Sequence, residues 1–182
     1  MKSQLTSILL GILCLTALNS SSQVTDLTNN SFGIWQTFGD PILKSVSPEM
    51  RGRLCNFRWK DIEPSPNVWD WAQFDNDLAV RAADSLPIIF MVYTEEDAPA
   101  WLYTNGVPKV AMKDKKGNIV GYTPYYADPE YKDYFKTMIS TVRQHVETLP
   151  AYVRNHIISV QACLGSTGDY IGYKGTVDAQ YD

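Results

Sequence analysis

Strand-like segments alternate with helical segments along this chain, and this alternation constrains the fold more than any other feature. Four apolar segments of strand length are bounded by turn residues, and two segments with apolar residues at helical spacing lie between them. A strand, a helix and a second strand in this order form a right-handed βαβ unit, in which the two strands are parallel. The fold class is therefore predicted to be α/β, with one parallel sheet.

The predicted strands are residues 32–38, 53–59, 87–93 and 157–163. In the second strand, alternation places Asn56 and Arg58 on one face and Phe57 and Trp59 on the other. The third strand is a continuous apolar run, as expected of a strand that is covered on both faces. The sequence thus predicts a second strand with two distinct faces and a third strand that is covered on both.

Two helices are predicted between these strands. The first is indicated by apolar residues at helical spacing, namely Trp71, Phe74, Leu78 and Ala82. The second has an apolar stripe over residues 131–146, with Asp128 as its N-cap and Pro129 as its first residue. Residues 94–127 are predicted to form a loop, or a loop with a small hairpin around residues 116–118. Loops of this length in a compact domain are usually functional.

The first 22 residues have the pattern of a cleavable secretory signal peptide. Lys2 precedes an apolar run over residues 5–18, and the serines at 20–22 offer a cleavage site before Gln23. The run is short for a membrane span, so none is expected. The protein is therefore expected to be secreted or periplasmic, with residues 23–182 forming one domain of roughly 160 residues.

Composition excludes several classes of function. The net charge of −4 argues against nucleic-acid binding, which requires a basic surface. Cys55 and Cys163 lack the spacing of metal ligands, and the chain has only 2 histidines, so neither a metal site nor a cofactor is expected. The two cysteines could form a disulfide in a secreted protein, but two buried free thiols are the expectation.

Residues 57–75 place an arginine, tryptophans and carboxylates in one strand-to-helix connection. Arg58 and Trp59 end the strand, and Asp61 and Glu63 follow in the turn. In barrels built from βα units the active site lies on the loops after the strands. Sugars are bound there by aromatic faces and by charged hydrogen-bonding groups. The alternative interpretation is that the prolines and tryptophans of this segment form a rigid, well-packed corner.

Carboxylates follow each predicted strand in the same way: Asp40 after the first, Asp61 and Glu63 after the second, Glu95, Glu96 and Asp97 after the third, and Asp169 after the fourth. Because parallel strands end at the same edge of a sheet, these groups are expected on one rim. With tryptophans between them, they predict a site for an oligosaccharide or polysaccharide.

Three segments resemble a known family. Phe-Arg-Trp-Lys-Asp-Ile-Glu-Pro (57–64), with the later Trp-Asp-Trp and Phe-Asp, resembles the second strand and following helix of retaining β-glycosidases of clan A, including the family 42 β-galactosidases. Residues 98–110 resemble the loop after the third strand, and residues 128–135 the next helix start. The resemblance covers nearly all of the mature chain. It implies the N-terminal portion, about four βα units, of a (β/α)8 TIM barrel, which usually needs about 250 residues.

The resemblance also implies an activity, namely hydrolysis of O-glycosidic bonds by two carboxylates. The acid/base follows the fourth strand in these enzymes, and the nucleophile follows the seventh. Here the Asn-Glu pair usual after the fourth strand is absent. Asp169 is the carboxylate near that turn, and it is the acid/base candidate, or else it bonds a sugar hydroxyl or caps the turn. Arg58, Glu63, Glu95 and Trp101 are predicted to bind substrate, with Trp101 stacking on a sugar ring.

Three functional hypotheses remain at this stage. In the first, the chain is the N-terminal fragment of a glycoside hydrolase, lacks the nucleophile because it ends at Asp182, and shows no normal turnover alone. In the second, it is a non-catalytic carbohydrate-binding protein on the same scaffold. In the third, it is an inactive truncated product, and its open sheet edges promote self-association.

Overall fold

The computed structural model describes residues 33–36, 45 and 47–161. The elements of these residues, in chain order, are β1 (Ile34–Gln36), β2 (Met50–Arg58), α1 (Trp59–Ile62), α2 (Ala72–Ala82), β3 (Ile88–Tyr93), α3 (Trp101–Thr104), β4 (Lys109–Lys113), β5 (Ile119–Pro124), α4 (Pro129–Thr148), α5 (Ala151–Arg154) and β6 (Ile157–Gln161). Strands and helices alternate as the sequence predicts, with a hairpin between β3 and α4.

Four strands form one parallel sheet in the order β1-β2-β3-β6. This confirms the predicted α/β class. The three strands β1, β3 and β6 lie within the predicted ranges, while β2 begins three residues earlier than predicted, at Met50. Gly52 allows β1 to approach β2 closely, because a Cβ atom at this position would lie 2.3 Å from the ring of Trp35.

One face of the sheet carries the hydrophobic core. Phe57 of β2 and Phe90 of β3 point to this face, and both rings contact Phe74 of α2, at centroid distances of 4.4 and 5.4 Å. Met138 and Val142 of α4 belong to the same buried cluster. Burial of these side chains supplies the main driving force for packing the two helices on the sheet. The predicted helical stripes thus face the core.

The long helix α4 begins as predicted. The side chain of Asp128 accepts a hydrogen bond of 3.0 Å from the backbone N–H of Tyr131, and Pro129 is the first helical residue. Near its other end, His145 Nε2 lies 2.6 Å from Asp75 Oδ1 of α2. The imidazole also stacks on Trp71, with centroids 4.0 Å apart. These contacts join the two helices that cover the sheet.

The stretch from 94 to 127 contains α3 and an antiparallel hairpin of β4 and β5. The turn between the two strands is built on Asp114, whose Oδ1 accepts the backbone N–H groups of Lys116 and Asn118. Gly117 adopts a φ of +83°, which favours glycine. The hairpin that the sequence offered as one alternative around residues 116–118 is therefore the correct one.

Other expectations fall partly outside the described residues. Of the two cysteines expected to be buried free thiols, Cys55 is buried, and this burial raises the pKa of its thiol to about 11. Cys163 lies outside the described part of the chain. The segment with the signal-peptide pattern also lies outside it. Across the residues that the structure describes, no helix combines the length and apolarity needed to cross a bilayer. Self-association stays a prediction, with β1 and β6 as the outer strands of the described sheet.

Candidate functional site

A cleft of about 630 Å³ lies at the carboxyl ends of β2 and β3. The two strands are parallel and in register from Arg53 and Ile88 to Arg58 and Tyr93, so the segments that follow them emerge side by side. The described residues that line the cleft are Asn56, Phe57, Arg58, Lys60, Asp61, Ile62, Pro64, Asp70, Gln73, Phe74, Tyr93 and Asp97. The cleft therefore lies at the edge of the sheet where barrels built from βα units place their active sites.

Arg58 is the most prominent charged group of this cleft. Its side chain is 52% exposed, and its Nε donates a hydrogen bond of 2.5 Å to Oδ2 of Asp61. Asp61 is itself 36% exposed, so the pair faces solvent. A guanidinium group has several N–H donors and a carboxylate has several acceptor sites. The pair can therefore bond the hydroxyl groups of a ligand in the cleft while it stays intact.

A second pair connects the segments after β2 and β3. Lys60 Nζ lies 2.6 Å from Oδ1 of Asp97, and the backbone N–H of Lys60 donates to the carbonyl of Asp97 at 2.9 Å. A side-chain and a main-chain contact thus join the same two residues. The rim of the cleft is consequently built from two loops that are held to each other.

Glu63 lies beneath this rim and is only 3% exposed. Its Oε2 accepts a hydrogen bond of 2.7 Å from the indole Nε1 of Trp59, and its Oε1 accepts one of 3.0 Å from the backbone N–H of Asn67. Burial raises the pKa of the Glu63 carboxyl above its ordinary value, although these two hydrogen bonds act in the opposite direction. Both carboxylate oxygens therefore bind groups of the protein itself.

Trp101 of α3 contacts the same residue. Its indole Nε1 donates a hydrogen bond of 2.9 Å to the carbonyl oxygen of Glu63. The ring is partly buried and meets the rings of Trp59 and Tyr134 edge to face, at centroid distances of 6.3 and 5.2 Å. Trp59 is completely buried in the core. The tryptophans of the corner that the sequence offered as an alternative are thus packed against the core, whereas its prolines, Pro64 and Pro66, are exposed. Stacking of a sugar on Trp101 stays a prediction.

The remaining predicted site residues differ in position. Glu95 lies two residues after the end of β3 and is 7% exposed, and its carbonyl oxygen accepts the backbone N–H of Ala98 at 3.0 Å. Of the predicted substrate-binding residues, the structure therefore brings Arg58 to the cleft surface and places Glu63 and Glu95 in the interior. Asp40 and the acid/base candidate Asp169 lie outside the described residues.

Sequence reasoning missed three polar residues that line the cleft, namely Lys60, Asp70 and Gln73. All three lie in the segment 57–75, and Gln73 is also in the first turn of α2. The side chain of Asp70 accepts the backbone N–H of Ala72 at 3.0 Å. A polar residue just before an apolar helical stripe is a signal for a helix start, and it gave no indication of a cleft.

Comparison with known proteins identifies the class to which this fold and cleft belong. The family model described as β-galactosidase, glycoside hydrolase family 42, matches residues 50–163, which is more than half of the chain. The chain therefore belongs to glycoside hydrolase family 42.

Two individual β-galactosidases are similar to this chain. β-Galactosidase BgaA of a Thermus species is 24% identical over 138 residues, which cover 71% of this chain and 21% of the relative. The crystal structure of a β-galactosidase from the psychrophilic Marinomonas ef1 matches with a TM-score of 0.51 and 20% identity, covering 70% of this chain and 21% of the other. The second match shows the fold, which is part of a TIM barrel. The chain spans about a fifth of each relative's length.

Proposed function

We propose that this chain binds the sugar of a β-galactoside in the cleft at the carboxyl ends of β2 and β3, as the substrate-positioning part of a glycoside hydrolase. One observation carries the proposal: in a chain of family 42, Arg58 and Asp61 form an exposed ion pair inside a cleft of about 630 Å³ at this edge of the sheet. Parallel barrels bind their substrates at this edge.

The chemistry of the cleft fits a neutral, hydroxyl-rich ligand. Donors are supplied by Arg58 and Lys60 and acceptors by Asp61, Asp70 and Asp97, so both signs of charge are present. Sugar hydroxyl groups donate and accept at once, and such mixed surroundings satisfy both capacities. The reaction that we propose for the site is hydrolysis of an O-glycosidic bond by paired carboxylates, with Asp169 as the acid/base candidate.

The test is a calorimetric titration of the 182-residue protein with lactose. Binding in the micromolar-to-millimolar range is expected for the unmodified protein. Arg58→Ala should weaken binding about 10-fold to 100-fold, because hydrogen bonds to charged groups contribute about 1.5–3 kcal/mol. Arg143→Ala is the matched control, since Arg143 is an exposed arginine of α4 that also pairs with a carboxylate, Glu147.

Two results would contradict this proposal. One is an absence of lactose binding by the unmodified protein, and the other is equal affinity in the Arg58→Ala and Arg143→Ala variants. Release of nitrophenol from a nitrophenyl β-galactoside by a longer version that includes the nucleophile, lost in Asp169→Asn, would support the catalytic assignment. Binding by this chain, with no hydrolysis by any longer version of it, would favour the alternative, a non-catalytic carbohydrate-binding protein on the same scaffold.

We also propose that the protein is exported. The support is the charged, apolar and small-residue pattern of the first 22 residues, which is typical of secretory signals. Amino-terminal sequencing of the protein recovered outside the cytoplasm should begin at Gln23. Recovery of the cytoplasmic protein with its first residues intact would contradict export.

A further inference from the structure

We propose that Glu63 is a positioning residue that couples the segment after β2 to the segment after β3, so that its carboxylate holds Trp101 and the rim of the cleft in place. The effect on sugar binding rests on the function proposed above, whereas the coupling of the two segments does not. The proposal assigns Glu63 a role different from the direct contact with substrate that the sequence predicts.

Glu63 is bonded to both segments by its side chain and by its backbone. The carboxylate accepts the indole N–H of Trp59 and the backbone N–H of Asn67, at 2.7 and 3.0 Å. The carbonyl oxygen of the same residue accepts the indole N–H of Trp101 at 2.9 Å, across 38 positions in sequence. Two indoles from different segments thus donate to one glutamate.

A carboxylate fits this position better than an amide. Each of its two oxygens faces an N–H donor, and both hydrogen bonds need an acceptor. Glutamine would turn its NH₂ group toward one of these donors, and a buried donor would then lose its partner. Asn67 adopts a φ of 59°, in the left-handed region, and the hydrogen bond to Glu63 helps to hold this turn.

The coupling to Trp101 is geometric. The ring of Trp59 meets the ring of Trp101 edge to face, with an interplanar angle of 90° and centroids 6.3 Å apart. When the carboxylate fixes the indole of Trp59, it also fixes one wall against which Trp101 packs. Displacement of Glu63 would additionally move the carbonyl acceptor of Trp101. The cleft residues Lys60 and Asp61 belong to the helical turn between Trp59 and Glu63, so they share this support.

The experiment measures hydrogen exchange of the indole N–H groups by ¹⁵N NMR, with Trp59→Phe and Trp101→Phe used for assignment. In Glu63→Gln we expect exchange to accelerate about tenfold at Trp59, because the NH₂ group of the amide displaces the acceptor of its indole N–H. We expect the same at Trp101, which keeps its bond to the backbone carbonyl of residue 63 but loses the fixed Trp59 ring against which it packs. The backbone amide of Phe90, in the buried strand β3, reports global unfolding and should not accelerate in parallel. Glu147→Gln, an exposed glutamate of α4, is the matched control and should change neither indole.

The lactose titration is repeated on the same variants. Glu63→Gln should weaken lactose binding about threefold to tenfold, because the residues of the rim are no longer held in position. The exchange of the Phe90 amide should stay unchanged. Unchanged exchange at Trp101, with faster exchange at Trp59, would overturn the coupling. Unchanged lactose affinity in Glu63→Gln would overturn the positioning role in a protein that binds lactose.

The experiment still decides the coupling in two further cases, absence of lactose binding and failure of Glu63→Gln to fold. If the unmodified protein does not bind lactose, the proposed function fails, and the exchange data still decide whether Glu63 couples the two segments. If Glu63→Gln does not fold, Trp59→Phe replaces it, because this variant keeps a ring in the core but removes the donor to the carboxylate. Accelerated exchange at Trp101 in Trp59→Phe would then support the coupling, and unchanged exchange would overturn it.

Discussion

Two arginines on the same strand, Arg53 and Arg58 of β2, have opposite environments. Arg53 lies near the amino end, is 1% exposed, and donates hydrogen bonds to Gln36 of β1 and, at 2.6 Å, to Asp84 before β3. Arg58 ends the strand, is 52% exposed, and pairs with Asp61 only three residues away. An arginine side chain therefore joins distant segments at one end of the sheet, whereas another faces a cleft at the opposite end.

The difference follows from what surrounds each end of a parallel sheet. At the amino end, the turn from α2 into β3 brings Asp84 against the strand, and the guanidinium of Arg53 is enclosed. At the carboxyl end, the strands open into loops, and this is the edge where barrels of this class bind ligands. We therefore expect changes at Arg53 to affect stability and changes at Arg58 to affect binding.

The largest expected effect is that of Arg53→Ala. Removing the enclosed guanidinium breaks a largely buried ion pair with Asp84 and the hydrogen bond to Gln36, and this should lower the free energy of unfolding by about 3–5 kcal/mol. Urea denaturation measures the change, and Arg58→Ala serves as the control on the same strand. Equal losses in both variants would remove the distinction between the two ends.

The second prediction concerns pH and Cys55, which lies between the two arginines. Burial raises the pKa of its thiol from 9.0 to about 11, so the folded state keeps the proton at pH values where the unfolded chain loses it. Stability from this group is complete below pH 9 and is lost as pH rises toward about 11. Between these values the unmodified protein should lose about 1–2 kcal/mol more than Cys55→Val. Parallel pH profiles of the two proteins, measured by urea denaturation, would contradict the prediction.

The third prediction concerns the start of α4, away from β2, and its expected effect on stability is of intermediate size. Asp128→Ala removes the side-chain acceptor for the Tyr131 N–H at the start of α4. The free energy of unfolding should fall by about 1 kcal/mol, as is typical for loss of an N-cap. Asp128→Asn, which keeps an acceptor, should lose much less, and equal losses in thermal unfolding would show that the loss does not come from the hydrogen bond to Tyr131.

The smallest expected effect is the coupling between Arg58 and Asp61. A double-mutant cycle with Arg58→Ala and Asp61→Ala should give about 0.2–1 kcal/mol, because both side chains are exposed to solvent. The coupling should decrease further in 1 M NaCl, where screening is strong. A coupling as large as the loss in Arg53→Ala would show that the exposed pair is a structural contact.

Much of the fold could be predicted from the sequence because its signals are local. The alternation of Phe57 and Trp59 with Asn56 and Arg58 indicates one strand and its two faces. Asp128 before Pro129 indicates where a helix begins. Within the described residues, the two faces of the strand and the start of the helix agree with the structure, whereas Trp59 begins α1 and does not end β2. The hairpin of β4 and β5 was only one of two alternatives, since turn residues at 116–118 fit a loop equally well.

The candidate site could be predicted only in part. The sequence placed Arg58 at the end of β2, Glu63 after it, and Glu95 and Trp101 after β3, and the structure has them there. It could not distinguish an exposed carboxylate from a buried one, because burial depends on residues far apart in the chain. The hydrogen bond from Trp101 to Glu63 and the pair of Lys60 with Asp97 join segments that have no common sequence pattern.

The sequence by itself determined the order of the elements and the carboxylates, indoles and arginine that follow the strands, because periodicity and capping act over a few residues. Only the tertiary structure decided which of these groups remain exposed. Glu63 is buried and its carbonyl oxygen accepts the indole N–H of Trp101, 38 positions away, whereas Arg58 keeps half of its surface in solvent. The physical reason is that hydrogen-bond partners and solvent access are set when the two loops pack against each other, and packing brings together residues distant in sequence.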